Sequence, residues 1–136
     1  RDADLAQTRL DDLALIELFS IFEGAVRSLV AEQLRDAAFG LTHPMLKAAA
    51  KGAVDAAERR SFAEILNSYS QGGYADLAEQ VRQVRRYRNW LSHGCRGKPL
   101  NKIEPKTAYQ RLRLFLELLQ TPAAGAPTAV TPDAAP

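Results

Sequence analysis

Cysteine and histidine are scarce in this chain of 136 residues: Cys95 is the one cysteine, and His43 and His93 are the two histidines. A lone thiol cannot close an internal disulfide, and without a CxxC pair neither histidine has the company a zinc site needs. A reducing compartment, the cytoplasm, is therefore expected, with no metal and no cofactor. Long apolar runs are missing too. The most apolar stretch, residues 13–30, is interrupted by Glu17, Glu23 and Arg27, so no membrane span is expected, and no charged-then-apolar leader marks a signal peptide. Nor does any segment alternate apolar and polar residues between turn signals, as a half-buried strand would.

What is present is an ordinary globular composition, 46% apolar and 25% charged, at a length that suits one domain with a real core and not two. The chain opens on Arg1 and not on methionine, so it is expected to be part of a longer protein. Apolar residues recur at spacings of three and four throughout, which predicts an all-α fold, a compact bundle of about four to five helices. A first helix is expected over about Ala3–Asp36, with Leu15, Phe19, Phe22, Val26, Leu29, Val30 and Leu34 on its apolar side and Gly40 just beyond its end. An alanine-rich helical region should follow from Pro44, a first-turn proline, to about Tyr69, with a break near Gly52 or Ala56. Gln71-Gly72-Gly73 is the clearest turn. Beyond it Leu77, Val81, Val84 and Leu91 mark another helix, capped by a left-handed Gly94. After a basic loop, a last helix runs from about Pro105 through Leu119. Residues 121–136 hold no large apolar side chain but Val130 and read as a disordered tail or linker. The expected organisation is a flank over 1–7, a helical domain over 8–120 and a tail over 121–136.

Charge is spread unevenly. Of 18 basic and 16 acidic residues, the window 81–103 holds Arg82, Arg85, Arg86, Arg88, Arg96, Lys98 and Lys102 and no acid. That window is +7 within an overall +2, which leaves 11 basic residues against 16 acidic ones elsewhere. Positive potential concentrated in this way suits a polyanion.

Residues 84–94 of the window read VRRYRNWLSHG. On a helical wheel, Leu77, Val81, Val84, Tyr87 and Leu91 share one side with Arg88 in their midst, while Arg82, Arg86, Asn89 and His93 form a polar stripe. A guanidinium on a core-facing position needs anionic company. Glu23, set among Ile16, Phe19, Val26 and Val30 on the first helix, is a second misplaced charge, so Glu23 and Arg88 are expected to form a largely buried ion pair. Histidine is the side chain that changes charge near neutral pH, and His93 stands at a helix end in the most basic part of the chain. That is where a general acid or base acting on a phosphodiester belongs, and arginine or asparagine donors could neutralise the phosphate without a metal. Tyr87 suits the core, Trp90 either an interface or a base stack, and His43 a loop.

The run Arg88-Asn89-Trp90-Leu91-Ser92-His93 resembles the R-x4-6-H motif of the HEPN superfamily, in which a polar residue commonly follows the arginine, as Asn89 does here. The layout is similar over residues 8–120, with the motif on the penultimate helix and one further helix packed after it. The resemblance implies a metal-independent endoribonuclease of toxin-antitoxin, defence or RNA-processing systems, with RNA as substrate and the ribose 2'-OH as nucleophile. It implies a homodimer that brings two motifs into one cleft, and an antitoxin or a neighbouring domain as a further partner. His93 would be the acid-base residue, Arg88 the phosphate-binding or histidine-positioning residue and Asn89 the orienting one, with Glu23 supporting the site. RNA would be held by Arg82, Arg85, Arg86, Arg96, Lys98 and Lys102. One toxin subgroup carries a modified tyrosine two residues after the histidine; Cys95 stands there, so silencing of that kind is not expected. The same residues also fit a non-catalytic HEPN-like module that binds nucleic acid or a nucleotide, or only dimerises.

Overall fold

A computed structural model describes residues 2–98 and 100–121, so all but the first residue of the tail expected over 121–136 lies outside the described residues. Leu15, Phe19, Phe22, Val26 and Val30 recur at helical spacing and put one stripe of α1 (Asp2–Ala38) inside. Asp2 and Asp4 occupy its first turn, where the helix dipole favours anions, and a turn through Gly40 at φ 89° ends it. Pro44 then opens α2 (Pro44–Arg59). His43, expected as a loop residue, is the N-cap of this helix: its Nδ1 accepts from the Met45 N–H at 3.1 Å.

The break in the alanine-rich region falls at Arg60–Ser61 and not near Gly52 or Ala56. Ser61 caps α3 (Phe62–Asn67), its hydroxyl accepting from the Glu64 N–H at 3.3 Å. Ser61-x-x-Glu64 is a helix-start spacing, a stronger instruction than a mid-helix glycine that merely lowers propensity. A single 3₁₀ turn at Gly72–Tyr74 leads into α4 (Ala75–Ser92), and α5 (Pro105–Gln120) closes the bundle. The fold is all-α with five α-helices, and no strand occurs among the described residues.

The long α1 is the spine, packed against α2, α4 and α5. Its Phe19 and Phe22 rings lie 5.6 Å apart, Phe62 of α3 stands edge-on to them at 5.7 and 5.9 Å, and Phe115 of α5 is 6.2 Å from Phe22. Edge-on pairs of this kind contribute about 0.5–1.5 kcal/mol beyond their buried area, so the aromatic cluster ties three helices together. The α4 helix adds Ala78, Val81, Val84 and Tyr87 to the core. No described helix is long and apolar enough to cross a membrane.

Candidate functional site

The site is built where α4 stops. Gly94 takes φ 76°, the left-handed conformation that costs other residues energy. Its N–H donates to the Leu91 carbonyl at 3.2 Å, while the Cys95 N–H reaches back to the Trp90 carbonyl at 2.9 Å. This paired closure is a Schellman cap, and it leaves His93 as the C-cap residue, exposed at the tip of the helix. The thiol of Cys95, at φ 59°, is exposed beside it.

Arg88 lies one and a half turns back and on another side of α4, since five residues rotate the helix by about 500°, or 140° net. Its guanidinium sits over the Phe19 ring, 4.8 Å from the centroid. The expected ion pair exists, but it is half-buried and long: Arg88 Nη2 stands 3.7 Å from Glu23 Oε1, with side chains 22% and 27% exposed. Glu23 is shared. Its Oε2 accepts two hydrogen bonds from Arg27, at 2.9 and 3.2 Å, and Arg27 also donates to the Ala57 carbonyl. Arg27 is the nearer partner because it lies one turn along the same helix and needs no inter-helix register.

Burial pushes the Arg88 guanidinium below arginine's ordinary range; the Glu23 charge works against this and the neighbouring Arg85 adds to it. Arginine remains cationic at neutral pH all the same. The Nε atoms of Arg88 and Arg85 and the indole Nε1 of Trp90 are buried with no hydrogen-bond partner among the described residues. Trp90 stacks on Tyr87, ring centroids 5.9 Å apart, and Tyr87 itself is buried. Asn89 is half-buried between the arginine and the tip.

The basic window divides in two. Arg82 turns inward and holds the end of α3, donating to the Leu66 carbonyl at 3.3 Å and to the Ser70 hydroxyl. Arg85 is half-buried, whereas Arg86, Arg96, Lys98 and Lys102 face solvent. Arg86 pairs with Glu79 at 3.2 Å. Slight burial pushes the Glu79 carboxyl up, but the Arg86 hydrogen bond and the charges of Arg86 and Arg82 outweigh it and hold the group below the usual carboxylate value.

A cavity of about 320 Å³ opens between α4, α5 and the loop at 100–103, with Gln83, Arg86, Asn101, Lys102 and Arg111 in its wall. Gln83, Asn101 and Arg111 were not among the residues the sequence singled out, because three elements supply them and no short spacing joins them. Arg27 had a readable signal, its position four residues after Glu23. Among the described residues no three His, Cys, Asp or Glu side chains gather as a metal-binding group. Comparison with protein-family models, with curated proteins and with solved structures finds no match.

Proposed function

We propose that the chain is a cytoplasmic, metal-independent endoribonuclease of the HEPN type, with RNA as substrate and a defence, toxin-antitoxin or RNA-processing role. The observation that carries this reading is the disposition of one segment: an exposed imidazole at the tip of the penultimate helix, an arginine anchored behind it, and the solvent-facing cations Arg86, Arg96, Lys98 and Lys102 flanking them in sequence. In the reaction, His93 takes the proton of a ribose 2'-OH as the oxygen attacks the adjacent phosphorus. The bond from phosphorus to the 5' oxygen breaks, that oxygen takes up a proton from the imidazolium so formed, and the products are a cyclic phosphate and a 5'-OH. Arginine charge offsets the charge that grows on the phosphate.

One chain supplies a single motif histidine, His93, with Arg88 about 140° away around the helix axis, so a second copy is part of the proposal. A homodimer would double both groups in one cleft. One feature supports it: Leu10, Leu13 and Ile21 of α1 are 61%, 63% and 63% exposed.

A second reading, a non-catalytic HEPN-like module, is favoured by the engagement of Arg88 with Glu23 and Phe19, which a packing role alone would explain. Incubation of the purified protein with total RNA in EDTA separates the two. Cleavage by the wild type, lost in His93→Ala with much of the RNA affinity retained, supports the nuclease. Intact RNA throughout supports the module, and cleavage that needs magnesium or survives His93→Ala sinks the mechanism.

A further inference from the structure

The cavity between α4, α5 and the 100–103 loop gathers Arg86, Lys102 and Arg111 with no carboxylate in its wall. A cleft between α1 and α2 also holds three cations without a carboxylate, Arg35, Lys47 and Lys51, but the rest of its lining is apolar and offers no side-chain amide. The amides of Gln83 and Asn101 supply neutral hydrogen-bonding groups, and Leu100 and Ile103 an aliphatic side. At about 320 Å³ it is at the small end of ligand pockets, larger than a lone inorganic anion needs.

We propose that this cavity is a nucleotide subsite: the three cations hold one phosphate, and the sugar and base rest against Leu100 and Ile103. The cations are available at small cost. Arg86 is tied to Glu79 at 3.2 Å, Lys102 to Glu104 at 3.5 Å and Arg111 to the Gln83 amide oxygen at 3.2 Å. Solvent-exposed contacts of this kind are weak, and a phosphate offers the planar guanidinium groups two acceptor oxygens at once instead.

The position gives the subsite its role. Arg86 and His93 are seven residues apart, so they lie on one stripe of α4, separated by about 10 Å along the axis. A strand whose phosphate is seated at Arg86 runs along that stripe to the exposed imidazole, and the subsite fixes which linkage His93 meets. That RNA is the strand rests on the function proposed above; the phosphate chemistry of the pocket does not.

The test uses the full chain and adenosine 5'-monophosphate, which is too short to depend on His93. Binding should be saturable, be absent with adenosine, fall at least tenfold in Lys102→Ala/Arg111→Ala, and persist in Lys102→Arg. The variant Lys47→Ala/Lys51→Ala removes the same charge from α2 and should change affinity less than twofold. Equal weakening in that control, or no saturable binding to the wild type, overturns the subsite. A 2'-O-methyl RNA oligomer, which cannot react through its 2' oxygen, should compete with the mononucleotide; failure to compete removes the strand from the pocket and refutes the register role. The two proposals fail separately: nucleotide binding without RNA cleavage sinks the nuclease, and cleavage without nucleotide binding sinks the subsite.

Discussion

Removing the charge of Glu23 should loosen the bundle from its centre. At 3.7 Å and an effective dielectric constant of 20, the attraction between Glu23 and Arg88 is about 4.5 kcal/mol before desolvation is counted. Both side chains remain about a quarter exposed, which lies between a surface pair worth about 0.2–1 kcal/mol and a buried one whose disruption costs about 3–5 kcal/mol. The charge-assisted bonds from Arg27, at 2.9 and 3.2 Å, are lost with the same carboxylate. Glu23→Gln, which keeps size and shape, should therefore cost about 2 kcal/mol in urea unfolding, the mean of those limits, and lower the melting temperature by several degrees. Double-mutant cycles against Arg27→Met and Arg88→Met apportion the loss: coupling should be larger to Arg27, with its two short hydrogen bonds, than to Arg88. A Glu23→Gln protein as stable as wild type would refute the shared-carboxylate account. Coupling to Arg27 alone would leave Arg88 packed on Phe19 for dispersion and cation-π attraction only.

Two glycines should respond in opposite directions: Gly94→Ala strains the φ 76° cap and should destabilise by about 1–2 kcal/mol, while Gly24→Ala, inside α1 with nothing within 4 Å of the added methyl, should stabilise by about 0.5–1 kcal/mol. Thermal melts of the two variants decide both. The Glu79 carboxyl is held low in the fold, so its contribution is complete above the ordinary value of 4.5 and is lost as pH falls through the folded value; wild type and Glu79→Gln should melt apart at pH 6 and converge towards pH 3. His93→Ala should abolish RNA cleavage in EDTA with less than a tenfold change in RNA affinity, because several cations share the phosphate attraction, and filter binding beside a gel assay reads both.

The helices were legible because burial is periodic. The inward stripe of Leu15, Phe19, Phe22, Val26 and Val30 is written in the spacing of α1, and the stop at Gly94 in the glycine itself. The Arg60–Ser61 break was encoded in Ser61 and Glu64 but masked by a glycine that proved harmless. Pairing Glu23 with Arg88 followed from two charges misplaced on apolar faces, whereas its length did not, because a wheel shows direction and not competition from Arg27. The pocket was out of reach altogether: Gln83 and Arg111 meet across 28 positions, and only packing brings α4, α5 and the loop together.

The spine helix outruns the bundle it supports. At 37 residues α1 is about 55 Å long, while α2 and α5, at 16 residues each, reach about 24 Å, and residues 2–10 of α1 are all exposed. A helical stretch that short is marginal by itself, so its turns persist as an extension of the packed segment from Leu15 onward. Amide hydrogens near Leu5 should then exchange through cheap local fraying and those near Val26 only through global opening, with a steep gradient along one continuous rod. Trypsin should register the same gradient, cutting after the exposed Arg9 long before it reaches Arg27, which is tied to Glu23 and Ala57.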